Sequence, residues 1–174
     1  MMKNTMKLLV LVAFVLAAMS VSAQTQNNKL GHIETQKLIV AMPEYIAAQK
    51  TMQDKQAEVE KELTNMKEQF QTKLSDYSTN SKNLSDVIRA SKEQELQELQ
   101  QRIQRFQEIA VDNLEKTQKD LMNPIMEKAT KAINEVGKEN GFTYIFDLSA
   151  GSIIYVSESS LDVLPMVKKK LGLQ

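Results

Sequence analysis

The chain has 174 residues, with 22 basic and 22 acidic side chains, one histidine, no cysteine and no tryptophan. Balanced charge excludes a basic nucleic-acid-binding surface, and the missing cysteines exclude disulfides. A lone histidine leaves a metal site or a His-dependent nucleophile without partners, so neither a cofactor nor an enzymatic activity is expected.

Residues 1–23 read as a secretory signal peptide. Lys3 and Lys7 precede an apolar run from Leu8 to Met19, and Val21-Ser22-Ala23 offers a small-residue cleavage site before Gln24. The run is well short of the about 20 apolar residues that cross a bilayer. Cleavage leaves residues 24–174 as the mature chain. Loss of Lys3 and Lys7 then leaves 20 basic against 22 acidic side chains, a formal charge of −2.

After a polar start, Lys29 to Glu34 alternates apolar and polar residues and suits a short strand. Thr35 is placed to cap a short helix carrying Leu38, Ile39 and Met42, and Pro43 to open the next helix at its first residue. From Glu44 to Val136 there is no glycine and one proline. Tyr45, Gln49, Met52, Gln56, Val59, Leu63, Met66, Phe70, Lys73 and Tyr77 recur at the four-and-three spacing of a coiled-coil seam. Leu96, Leu99, Ile103, Phe106, Ala110, Leu114, Thr117 and Leu121 answer at the same spacing. The residues between them are mostly Gln, Glu, Lys and Asp, which suit exposed faces.

A Ser/Asn-rich tip near 77–85 turns the chain, with Ser85 as the cap of the returning helix. With the turn centred near residue 81, Leu63 faces Leu99 and Val59 faces Ile103. The returning helix outruns its partner, so Ile125, Ala129, Ile133 and Val136 must pack on the base. Periodicity on both sides of Pro124 predicts a kink there rather than a stop. Gly137 and Asn140-Gly141 end the helix. Phe142 to Asp147 and Ser152 to Val156 read as a β-hairpin, and Leu161 to Leu171 as a terminal helix capped by Ser160 or Asp162.

The predicted fold is α+β and predominantly helical. A long antiparallel helical hairpin (44–136) projects from a small β-body (29–43 and 137–174). Strands this few bury little and expose edges, so other copies of the chain should complete the body. Leu30, Ile33, Tyr144, Phe146, Ile154 and Val156 are the candidate residues of that contact. Met52, Met66, Phe70 and Tyr77 are the candidate binding contacts on the arms, methionine being adaptable on promiscuous surfaces. His32 reads as a strand residue with no special role, and Asn83-Leu84-Ser85 as a chance glycosylation pattern.

The order of these elements resembles the Skp/OmpH family of exported chaperones over Lys29 to Leu171. So do Met42-Pro43-Glu44-Tyr45, Pro124-Ile125 with Lys128, Ala132-Ile133, and Glu139-Asn140-Gly141-Phe142 followed by Tyr144-Ile145-Phe146-Asp147. The resemblance implies a periplasmic homotrimer with three helical arms around a cavity. Such proteins hold unfolded outer-membrane β-barrel proteins without ATP and deliver them toward the outer-membrane assembly machinery. This chain departs from the strongly basic arms of better-known members, since Lys82, Arg89 and Lys92 alternate with Asp86, Glu93, Glu95 and Glu98. No basic lipopolysaccharide-binding cluster carries over, and near-neutral charge weighs against membrane-surface contact. The rival reading is a structural or tethering coiled coil of the cell envelope. A spacer would bury its seam fully, whereas a holdase needs spare apolar surface on the arms.

Overall fold

A computed structural model describes residues 28–173, so the predicted signal peptide lies outside the described residues. Strand β1 (Leu30–Ile33) leads into helix α1 (Thr35–Val40) and then α2 (Pro43–Asn80). A 3-10 turn (Ser81–Asn83) joins α2 to α3 (Asp86–Glu139). Strand β2 (Tyr144–Asp147), a 3-10 turn (Leu148–Ala150), β3 (Leu161–Asp162) and helix α4 (Leu164–Lys170) complete the chain.

The two long helices have 38 and 54 residues, or about 57 and 81 Å at 1.5 Å per residue. Pro43 stands in the first turn of α2, where its missing N–H leaves no bond unmade, and Glu44 beside it suits the positive helix end. Helix α3 runs through Pro124 without ending. It stops in a Schellman turn: Gly141 takes φ 67°, and the Phe142 and Gly141 amides donate to the Gly137 and Lys138 carbonyls at 3.0 and 3.3 Å. Ser85 holds the N-cap position of α3 without a side-chain cap bond.

The predicted seam is the line along which the arms pack. On α2 the apolar seam positions from Tyr45 to Tyr77 are half-buried or buried, while Gln49, Gln56 and Lys73 are exposed. On α3 all eight seam positions from Leu96 to Leu121 are at least half-buried, with Leu99 and Ala110 buried.

The register differs from the predicted one. Lys73 pairs with Glu95 at 2.5 Å, the Tyr77 hydroxyl donates to Glu93, and Lys128 bonds to Glu44. Those pairs centre the turn near residue 85, four residues beyond the predicted 81, because α2 continues to Asn80. Leu63–Leu99 and Val59–Ile103 are therefore out of register by about 12 Å along the axis. A heptad seam is nearly self-similar under such a slip, so apolar spacing alone cannot choose. Charge can. A turn at 81 would set Lys73 against Arg89, whereas the observed turn sets it against Glu95.

In the base, β1 is central in a three-stranded, all-parallel sheet of order β2-β1-β3. Leu30 pairs with Tyr144 and Ile33 with Asp147 on one side, and His32 with Asp162 on the other. The predicted hairpin is absent: residues 152–156 form no strand, and the third strand is Leu161–Asp162. The loop after β2 is drawn elsewhere. The Asp147 carboxylate accepts from Thr35 N at 3.1 Å, and Ser149 Oγ accepts from Gln36 N at 3.0 Å. Thr35 thus does not cap α1; residues across the sheet do, and they turn the chain away from hairpin geometry. Helix α4 accordingly starts at Leu164, later than predicted, with Asp162 accepting from Leu164 N at 2.9 Å.

One core joins all of this. Ile33, Leu38, Met42, Val163 and Val167 are fully buried with Ile125, Ala129, Ala132 and Val136 from the end of α3. Each large aliphatic side chain there contributes roughly 1.5–3 kcal/mol of burial. Gly31 lets β1 approach this core, since a Cβ would sit 2.8 Å from Phe142 Cε1 and 3.0 Å from Val163 Cγ1.

Two outcomes follow from this packing. Gly31→Ala should destabilise the base by about 1–3 kcal/mol through overpacking, seen as a lower thermal midpoint. Zero-length carbodiimide coupling followed by mass spectrometry should recover Lys73–Glu95 and Glu44–Lys128 links. Absence of both, with Lys73 joined to Asp86 instead, would restore the turn at 81.

Candidate functional site

Two surfaces stand out once the core is set aside. The first is the outer face of the base sheet. Period-2 alternation sends Gly31 and Ile33 inward, which leaves Leu30 and His32 on the other face. The parallel register lays Tyr144 and Phe146 beside them. Their rings stack with centroids 6.0 Å apart, and Tyr144 is 62% exposed.

The extended stretch from Ser152 to Val156 borders this face. Ile153, Tyr155 and Val156 line a cleft of about 810 Å³ together with Leu30, His32 and Phe146. Ile154 is fully exposed and Tyr155 nearly so. His32, expected to be inert, shares a 2.8 Å hydrogen bond between Nδ1 and Ser160 Oγ, which ties the stretch back to β1. An apolar face this open marks an interaction surface.

Of the candidate body residues, Leu30, Tyr144, Phe146 and Ile154 lie exposed here and Val156 is half-buried. Ile33 differs: at 1% exposure it belongs to the subunit's own core and supports the sheet from beneath.

The second surface is the arms. Met66, at 7% exposure, is closed into the seam. Phe70 and Tyr77 are half-buried along the same line, and the Tyr77 hydroxyl is engaged by Glu93, which pushes its pKa up. Met52 opens onto a cleft shared with Tyr45, Leu121 and Met122 at the arm root. The free apolar surface lies off the seam, at Ile46, Val87, Ile109 and Val111. Ile46, Ile109 and Val111 flank heptad positions and Val87 lies near the tip, and an apolar residue outside the a/d line is the one sequence signal that would have singled them out.

Charge on the arms is mixed in sign rather than concentrated, and a few pairs link or brace the helices. The Lys128 hydrogen bond holds the Glu44 carboxyl below its usual range, and Lys73 does the same for Glu95. Among the described residues no group of three or more His, Asp or Glu side chains is arranged to hold a metal, and no helix is long and apolar enough to cross a membrane.

A family model described as Outer membrane protein (OmpH-like) matches residues 29–171. The chain belongs to the OmpH-like family. No curated protein matches it. A crystal structure of an OmpH-like protein from Caulobacter crescentus CB15, assigned as an outer membrane chaperone, has TM-score 0.72 over 82% of each chain at 13% identity. That likeness concerns the fold: the same helical hairpin on a small sheet. The family match runs from Lys29 at the start of β1 to Leu171 at the end of α4, so it takes in both arms and the whole base.

The loop that borders both surfaces is anchored by Asp147. Burial pushes its carboxyl pKa up, but hydrogen bonds from the Ser149 and Thr35 amides outweigh this and leave it below 3.8. With a depressed folded value, its stabilisation is complete above the unfolded value near 3.9 and is lost as pH falls through the folded one. Asp147→Ala should therefore cost about 0.5–2 kcal/mol at pH 7, as for other capping residues. In thermal melts from pH 7 to pH 2 the gap to wild type should close below about pH 4. A gap independent of pH would assign the effect to packing.

Proposed function

We propose that the mature protein is a periplasmic chaperone that holds unfolded outer-membrane β-barrel proteins between its arms without ATP. The observation that carries this reading is the apolar surface the arms leave over. Ile46, Ile109 and Val111 are each more than half exposed, and Val87 near the tip is more exposed still. A tether that used its arms only as spacers would have no use for such residues. Family membership and the OmpH-like fold support the same reading.

In this mechanism the arms give many weak apolar contacts, individually too slight to trap a client in one conformation. Mixed charge means that capture rests more on apolar contact than on Coulomb attraction, and moderate salt should weaken it only slightly.

The working unit in this reading is a homotrimer. Strands of four, four and two residues leave both sheet edges and one apolar face open, and symmetry-related copies would close them. Leu30, Tyr144, Phe146, Ile154 and Val156 would form the contact, with Ile33 holding the sheet from below.

Two experiments test these statements. Sedimentation equilibrium of the mature protein at micromolar concentration should give a trimer, and Ile154→Asp should shift it toward monomer; a stable wild-type monomer would remove the assembly argument. Excising residues 57–70 and 100–113 takes two heptads from each arm in the observed register. The shortened trimer should assemble but lose most of its ability to keep an unfolded β-barrel protein soluble. If it holds as well as the full protein, the arms are not the binding element; if neither holds, the tethering reading gains.

A further inference from the structure

The cleft at the arm root differs in chemistry from the rest of the arm. It encloses about 520 Å³, with Tyr45, Met52, Leu121 and Met122 among its lining. Its polar lining is mostly amide, Gln49, Gln53 and Gln56 from α2, Gln118 from α3 and Gln36 from α1, with the hydroxyls of Thr35 and Ser149 at the base end. Asp147 at its edge is the single charged residue of the lining, and that carboxylate already accepts from the Thr35 and Ser149 amides. The cleft farther along the arm is the opposite, lined by Lys55, Glu58, Lys61, Glu62, Lys116 and Asp120. The root cleft therefore favours an occupant that is largely uncharged.

The glutamines also have a spacing. Positions 49, 53 and 56 share one face of α2. Gln49 and Gln53 are four residues apart, about 6 Å along the axis. An extended polypeptide presents its backbone N–H and C=O groups to one side every two residues, about 6.7 Å. A glutamine amide offers two donors and an acceptor; Gln49 spends one donor on the Tyr45 hydroxyl at 3.1 Å, and the groups left on Gln49, Gln53 and Gln56 have the spacing of successive backbone groups of one extended chain. Methionines below accept varied side chains because the thioether is unbranched and polarizable.

We propose that this cleft is a docking site for an uncharged, extended segment of unfolded polypeptide, with the α2 glutamines bonding its backbone and Met52 and Met122 receiving its apolar side chains. Recognition would then be independent of sequence but selective for strand-forming, charge-poor stretches. Chains that alternate apolar and neutral polar residues, as β-barrel strands do, fit both requirements. The inference deepens the chaperone reading by giving the client a specific place on the arm.

The test uses the full mature protein and a fluorescent twelve-residue peptide of alternating valine and threonine. Anisotropy should show binding, and Gln53→Ala with Gln56→Ala should weaken it about tenfold, as expected for two lost hydrogen bonds. The same peptide N-methylated at alternate residues, which lacks donors on one edge, should bind as weakly as that variant does to the parent peptide. Equal binding by the variant, or by the methylated peptide, overturns the proposal. A change in sedimentation of the double variant would show that a second copy of the chain occupies the cleft, which also overturns it. In parallel, a photoreactive residue at Gln53 should crosslink an unfolded β-barrel protein held by the trimer. Holding without crosslinks would sink this site and leave the chaperone reading standing. Failure to hold, with peptide binding intact and sensitive to the glutamines, would sink the chaperone reading and keep the site.

Discussion

The packing of the last turns of α3 against the base is the contact on which the rest depends. Helix α2 begins at Pro43, so with the turn near residue 85 its partner on α3 is exhausted near residue 127. The remaining residues of α3 belong to the core, where Ala129 and Ala132 let the helix approach α1 and α4 closely and Val136 fills the space beyond. One unbroken helix is thus both arm and core. Movement of the arm is transmitted to the base through a covalent rod rather than a linker. Pro124 lies just before the rod enters the core, where its missing hydrogen bond would cost roughly 3 kcal/mol in an ordinary helix interior. Burial of Ile125 directly after it offsets part of that cost.

The base is held by contacts between residues far apart in sequence. β1 supplies both ladders of its sheet, to strands more than a hundred residues later. The amide N–H groups that open α1 are met by Asp147 and Ser149. Lys29 bonds the Asn140 carbonyl and lies 4.3 Å above the Phe142 ring, while Lys170 reaches Glu135 and Glu139 on α3. Exposed ion pairs of this kind add little stability singly. Their value is positional, because they fix how α4 and the chain start sit on the end of the long helix. Pairing of this kind must close a loop of more than a hundred residues, which a local hairpin would not.

The helical hairpin was legible because its information is local and periodic. Apolar residues at four-and-three spacing, the absence of glycine and the proline at the first helical turn each follow from neighbours a few residues away. The end of α3 was legible for the same reason, since Gly141 alone meets the left-handed backbone of its turn. The candidate sites were less so. Leu30, Tyr144, Phe146 and Ile154 are exposed, whereas Ile33, named beside them for its apolar character, falls on the opposite face, as period-2 alternation from Leu30 requires. Met66 and Phe70 looked available for binding because they are apolar, and the seam that made them visible is what covers them.

By itself the sequence determined the helical arms, the small base, the exposed character of the arm surface and membership in a family of like architecture. Tertiary structure decided the register of the arms, the parallel sheet and the true N-terminal partners of α1. The physical reason is the range of the deciding interaction. A heptad pattern repeats, so a two-turn slip leaves apolar contacts almost unchanged and the choice falls to Lys73, Glu95 and Tyr77 meeting across the hairpin. Likewise the stretch from Ile153 to Val156 has every local preference for a strand and the edge of β2 is open to it, but Asp147 and Ser149 are held by the amides that open α1, and the chain leaves β2 without a hairpin turn.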